Sequence, residues 1–129
     1  MTSVVIDWLN DEVRLSQHIT SESIDRDFRN GYLFGEILKQ YEIIDKKMFD
    51  SLFYNGNSQE IAIRNYSLLE TSLAQQLGLK LKANRVYDII QGKPGEAAKL
   101  ACDIKSAIHM KKIDSTNING KAKRMLFDL

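Results

Sequence analysis

Along most of this chain apolar residues recur every three or four positions, the period of a helix with one buried face. In "SVVIDWLNDEV" the residues Val5, Trp8, Leu9 and Val13 share one side. "TSESIDRDFRNG" opens on the helix-capping types Thr20 and Ser21, sets Ile24 and Phe28 four apart, and stops at Asn30-Gly31. "YLFGEILKQYEII" follows with Leu33, Ile37, Leu38 and Tyr41 in a third stripe. Residues 45 to 57 are irregular, with a short helical turn at "KKMFDSLF" before the breaker cluster Asn55-Gly56-Asn57. Asn57 or Ser58 caps the next helix, with Glu60 in capping-box position after Asn57. That helix, "QEIAIRNYSLLETSLAQQLG", keeps Ile61, Leu68, Leu69, Leu73 and Leu77 together and ends at Gly78. "ANRVYDIIQGK" gives a short helix on Val86, Ile89 and Ile90, and "PGEAAKLACDIKSAIHMKK" a last one burying Ala97, Leu100, Ala101, Ile104, Ala107 and Ile108. No run has the alternation of a strand, and no period repeats. The pattern predicts an all-α domain with four main helices and two or three short ones over residues 1–112. From residue 113 the helical period is lost, which predicts a flexible tail or the start of a linker over 113–129.

Four positions interrupt these stripes. Gly31 is expected at a helix start, in a backbone conformation that bulkier residues resist, and Gly35 at a close crossing with a neighbouring helix. Asn65 falls on the apolar face of its helix, where a buried amide is costly unless hydrogen-bonded, so it is expected to tie down a neighbouring backbone. Pro94 suits the first position of the last helix, where its missing N–H has no helical partner.

Composition narrows the class. The chain has 129 residues, the size of one domain, with 27% charged residues, 43% apolar ones and a single proline, as in an ordinary globule. No apolar run approaches the roughly 18 residues that span a bilayer, and "MTSVVIDWLNDE" lacks the layout of a signal peptide. The expectation is an intracellular protein. Cys102 is the only cysteine, which excludes an internal disulfide and leaves it as a small buried hydrophobe.

Candidate chemistry is sparse. Gly31-x-x-x-Gly35 suggests a phosphate loop, but such a loop needs a Lys and a hydroxyl after its last glycine, and here Glu36 would repel phosphate. His18 and His109 lie far apart with no Cys or paired carboxylate at ligand spacing, so no metal is implied. Asp25 and Asp27 point to different faces of a helix and do not make an acid–base pair. Nothing marks an activated nucleophile. The expectation is no enzymatic activity and no cofactor.

Charge is unevenly distributed. Residues 1–64 carry seven Lys/Arg against eleven Asp/Glu, a balance of −4, and residues 65–129 carry eleven against six, a balance of +5, giving the net +1. Lys80, Lys82 and Arg85 cluster before the "VYDII" helix, and Lys93, Lys99, Lys105, Lys111 and Lys112 follow along the last helix. They are either a solvated helix surface or an electrostatic footprint for an acidic polymer.

The order of elements resembles the calponin-homology domain over roughly residues 3 to 110. Three signals carry the resemblance: Asn30-Gly31 before the Leu-rich "YLFGEIL" helix, Asn65 on the apolar face ahead of the Leu77-Gly78 stop, and the "IIQGKPG" junction into the final helix. "WLNDEV", "GYLFGEIL" and "IIQGKPGEAAKLACDIKSAI" are most similar to the divergent branch found in sperm flagellar and central-pair ciliary proteins. The resemblance implies a non-catalytic cytoskeletal binding module. Actin-binding members generally use two such domains in tandem, whereas single domains of the flagellar and end-binding types are associated with microtubules or axonemal scaffolds. The expected role is therefore docking of an axonemal protein onto microtubules, or onto a central-pair or ciliary scaffold, through the basic residues named above. The expected place is the cytoplasm, in the cytoskeleton of a ciliary or flagellar axoneme. An actin-binding or signalling-adaptor domain is the alternative, and neither nucleic acid nor a membrane is an expected partner.

Overall fold

The computed structural model describes the backbone of residues 2–127 and the side chains of residues 4–111. Helix α1 (Thr2–Asp7) widens into a π-helical continuation over Trp8–Val13. α2 (Ile24–Asp27), α3 (Tyr32–Gln40) and α4 (Lys46–Leu52) follow. α5 (Gln59–Ser72) again ends in a π-helical segment, Leu73–Leu77, before α6 (Ala83–Ile90) and α7 (Glu96–Phe127). No strand occurs among the described residues, so the all-α expectation holds: α1 with its continuation, α3, α5 and α7 are the main helices, and α2, α4 and α6 the short ones.

α3 lies at the centre because its run from Tyr32 to Leu38 is apolar or glycine except at Glu36. Leu33 to Leu38 are all buried, and the helix packs against α4, α5 and the widened end of α1. α7 closes the other side against α1, α2 and α6. Leu69, expected in the core, is fully enclosed, as are Leu9, Phe28, Ile37, Leu73 and Leu100. An aromatic group braces this core: Phe28 packs on Phe34 at 4.6 Å, and the Phe49 and Phe53 rings stack at 5.2 Å. Trp8 is buried and stacks on Tyr41 at 6.1 Å, donating its indole N–H to the Tyr41 hydroxyl at 2.9 Å.

The glycines do what packing requires. Gly31 precedes α3 at φ +79°, a left-handed conformation that favours glycine. A Cβ on Gly35 would stand 2.7 Å from two atoms of the Phe53 ring and 3.0 Å from Phe49. The pair therefore serves close approach, and Glu36 shows what the phosphate-loop pattern conceals. Its buried carboxylate accepts from the Ser16 backbone N–H at 2.9 Å and the Ser16 hydroxyl at 3.0 Å, pinning the loop after α1 onto α3.

Three local expectations need correction. Pro94 is not the first residue of the last helix; it sits in a turn, and α7 begins at Glu96, with Gly95 at φ +83° ahead of it. Ser58, one of the two expected caps, caps α5 through its hydroxyl oxygen, which accepts from the Ile61 N–H at 3.1 Å, so it is the capping-box role of Glu60 that fails: Glu60 falls one place short and stays exposed. Cys102 is half-buried instead of enclosed. Beyond residue 112 the backbone continues α7 to Phe127, where loss of the helical period was expected. Lys121 to Leu126 are good helix formers, whereas propensity does not account for the helix across Asp114 to Gly120.

Candidate docking surface

The element that presents the first group of cations is the extended segment between Gly78 and α6. Gly78 ends the α5 continuation at φ +64°. Leu81 then points inward, only 2% exposed, while Lys80 and Lys82 are exposed on either side of it. This is the in–out alternation of extended chain, and it leaves both lysines at the surface. Lys82 is also the N-cap of α6, with φ −78° and ψ 148°, and its side chain makes no capping hydrogen bond. Neither lysine forms an ion pair among the described residues.

The remaining candidates are held differently. Arg85 reaches across to Asp103 of α7 at 2.7 Å and is half-buried. Lys93 lies 3.7 Å from Asp88, and Lys99 3.7 Å from Glu96. Lys111 donates to the Gln76 carbonyl at 2.8 Å, satisfying the end of the α5 continuation. Lys105 is half-buried on α7. The Lys112 side chain lies outside the described residues. Lys99, Lys105 and Lys111 follow one another at steps of six, and at about 100° per residue each step turns the side chain about a third of a circle. The structure thus brings Lys80 and Lys82 together and spreads the lysines of α7 around its circumference.

The polar interior is structural. Asn65, fully buried, donates from Nδ2 to the carbonyls of Asn30 at 2.8 Å and Tyr54 at 2.7 Å, and its Oδ1 accepts from the Tyr54 N–H at 3.2 Å. It ties the turn before α3 to the exit of α4, as a buried amide must. Tyr66 donates its hydroxyl proton to the Phe28 carbonyl at 2.7 Å, and burial pushes its pKa up strongly. Tyr32 and Tyr41 are raised less, first by burial and then by the carboxylates of Glu36 and Glu12 respectively, with the Trp8 hydrogen bond opposing the shift at Tyr41. His18 and His109 are exposed. Among the described residues no three His, Cys, Asp or Glu side chains gather as a metal site, and no helix is long and apolar enough to cross a membrane.

A family model described as "CH-like domain in sperm protein" matches residues 5–106, from the first buried side chain of α1 to the last turns of the buried stripe on α7. The chain belongs to this family. Over 112 residues, 87% of its length, the domain is 35% identical to Sperm flagellar protein 2 of Sus scrofa and 33% identical to Sperm flagellar protein 2 of Homo sapiens. It spans 6% of the length of these relatives. No solved structure matches the chain. The CH-like match agrees with the calponin-homology resemblance carried by Asn30-Gly31, Asn65 and the "IIQGKPG" junction.

Two surface features gave no usable sequence signal. Tyr54, Ile63 and Tyr87 are 52–63% exposed on α5, α6 and the α4 exit. Arg29 is anchored by its Nε to the Ile90 carbonyl at 2.9 Å, across 61 residues of sequence.

Proposed function

We propose that this CH-like domain is a non-catalytic docking module of a flagellar or ciliary protein, attaching it to microtubules or to a central-pair scaffold of the axoneme. Membership in a family described as occurring in sperm protein, and 35% identity to a sperm flagellar protein over most of the chain, support the flagellar setting. The observation that carries the docking site is the placement of Lys80 and Lys82. A helix N-terminus is the positive end of its dipole and favours Ser, Thr, Asp or Asn as cap. Lys82 sits there without a capping bond, beside a second unpaired ammonium. This arrangement works against the stability of α6, and an acidic partner surface such as that of tubulin would complement it. Arg85, Lys93 and Lys99 are paired with carboxylates and Lys111 is bonded to the Gln76 carbonyl, so the reading rests on Lys80 and Lys82.

The test is co-sedimentation with microtubules and with actin filaments at two salt concentrations, comparing the native chain with Lys80→Glu/Lys82→Glu. Arg85 is left intact, because a carboxylate at that position would face Asp103 and confuse loss of fold with loss of binding. Salt-sensitive pelleting with microtubules that the double variant loses is the expected result. Pelleting with actin alone would refute the microtubule assignment. Pelleting with neither would leave docking on another axonemal protein.

A further inference from the structure

The α2–α3 turn, the loop before α5 and the C-terminal end of α6 enclose an open cleft of about 450 Å³. Ala62 is buried at its lining, and Asn30, Gly56 and Ile90 are half-buried. Among the described residues that line it are two guanidinium groups, Arg26 and Arg29, and no carboxylate. Both walls are tied down. Asn30 donates from Nδ2 to Asn55 Oδ1 at 2.9 Å and to the Gly56 carbonyl at 3.0 Å, which joins the turn to the opposite loop.

Arg29 is held by its head and passes beside Gly92. Its Cδ lies 3.6 Å from where a Cβ on Gly92 would stand, and its Nε donates to the Ile90 carbonyl. One of its five donors is therefore used, and neither Nη nitrogen has a partner among the described residues. Arg26 is 76% exposed and touches Asp27 only through its Nε, at 3.5 Å. A guanidinium whose orientation is already fixed loses little freedom on binding, and its remaining edge matches a carboxylate with two parallel hydrogen bonds. The exposed amides of Gln59 and Gln91 at the rim suit the main chain of an extended peptide.

We infer that this cleft receives an acidic peptide segment of a partner protein, with one Asp or Glu carboxylate held by Arg29 and a second met by Arg26. The site goes beyond the docking reading above, since none of its residues is among the lysines that carry that reading.

Fluorescence anisotropy of a labelled hexaglutamate peptide, titrated with the full chain at low and physiological salt, tests it. Saturable binding is expected, weakened about tenfold by Arg29→Gln through loss of a charge-assisted pair and about twofold to fivefold by Arg26→Gln. The loss caused by Arg29→Gln should persist in the Lys80→Glu/Lys82→Glu background, because a bidentate contact is local whereas the lysines act on the peptide only through screened potential. Should Arg29→Gln fail to fold, Arg26→Gln decides, since an exposed side chain with one long ion pair contributes little to the fold. Binding that ignores both arginine substitutions overturns the inference. Loss of binding in the lysine variant alone would also overturn it, and would assign acid recognition to the approach to α6. A phosphoserine peptide that binds where hexaglutamate does not would overturn the carboxylate assignment.

Discussion

Replacing Asn65 should reveal how much of the fold depends on one buried amide. The side chain is fully enclosed and makes three hydrogen bonds to backbone groups of two separate segments, Asn30 and Tyr54. Asn65→Ala removes all three and strands two carbonyls and one N–H. A buried group left unpaired costs about 1–3 kcal/mol, and because Tyr54 lies at the surface its groups regain some water. Taking the lower end for each of the three gives about 3 kcal/mol, a large part of the 5–15 kcal/mol by which domains are typically stable. Asn65→Asp is the sharper probe because it keeps the shape. At neutral pH it turns a carboxylate oxygen toward the carbonyls of Asn30 and Tyr54, so it should destabilise at least as much as alanine. The introduced carboxyl has its folded-state pKa raised above the unfolded value. Its protonated form is thus compatible with the fold, and the deficit relative to the native chain should shrink as pH falls through the folded pKa. Urea unfolding followed by the fluorescence of Trp8, the only tryptophan, measures both. A loss below about 1 kcal/mol for alanine, or an Asp variant as stable as the native chain at pH 7, would refute the argument that Asn65 holds the two segments together.

Gly35→Ala sets two effects against each other: alanine gains about 1 kcal/mol of helix propensity, but its methyl would sit 2.7 Å from the buried Phe53 ring, and overpacking costs about 1–3 kcal/mol. A net loss, relieved by adding Phe53→Leu, is expected in thermal unfolding, and a higher melting temperature for the single variant would show that the ring can move aside. Tyr66→Phe should cost about 0.5–1.5 kcal/mol at pH 7, the net worth of one hydrogen bond, because the Phe28 carbonyl keeps its bond from the Gly31 N–H. Because burial raises the Tyr66 pKa above the unfolded value near 10, the native chain is fully stabilised below that pH and loses stability above it. The advantage of the native chain over the phenylalanine variant should therefore narrow in titrations above pH 10, and a difference that stays constant would contradict the burial of an un-ionised hydroxyl.

Much of this fold was legible because its devices are local. Gly31 at φ +79°, Gly78 at φ +64° and Gly92 at φ +78° punctuate helices where a bulkier residue would be strained, and glycine in sequence announces that position. Asn65 announced itself as the polar residue on an apolar stripe. The end of α1 did not, because the same left-handed position is filled there by Arg14 at φ +59°. Nothing in "NDEVRLSQ" signals that the Leu15 N–H returns to the Leu9 carbonyl at 3.3 Å, or that Gln40 donates to the carbonyls of Val13 and Arg14 from 27 and 26 residues away. The buried role of Glu36 was hidden for a related reason. Its sequence neighbours are glycine and isoleucine, while the groups that justify a buried carboxylate belong to Ser16, twenty residues earlier.

The docking surface was less legible than the fold because charge has no period that fixes its direction. A hydrophobic stripe records its own orientation, since residues that must meet the core recur at 3.6. Lysines are under no such constraint, and a list of them along α7 says only that they avoid the core. Steps of six send Lys99, Lys105 and Lys111 to three sides of the helix, and the last is drawn onto the Gln76 carbonyl. Arg85 finds Asp103, a partner that a count of basic residues in the second half of the chain passes over. What survives is the pair whose direction backbone geometry does fix: Lys80 and Lys82, turned outward by the burial of Leu81 between them. The cleft around Arg29 illustrates the complementary case. Both its arginines lie in the acidic half of the sequence, where a tally of net charge argues against anion recognition, yet folding gathers them with no carboxylate at the lining. Local potential in this domain therefore follows from which side chains the helices bring together, and net charge by segment is a poor guide to where an acidic partner would bind.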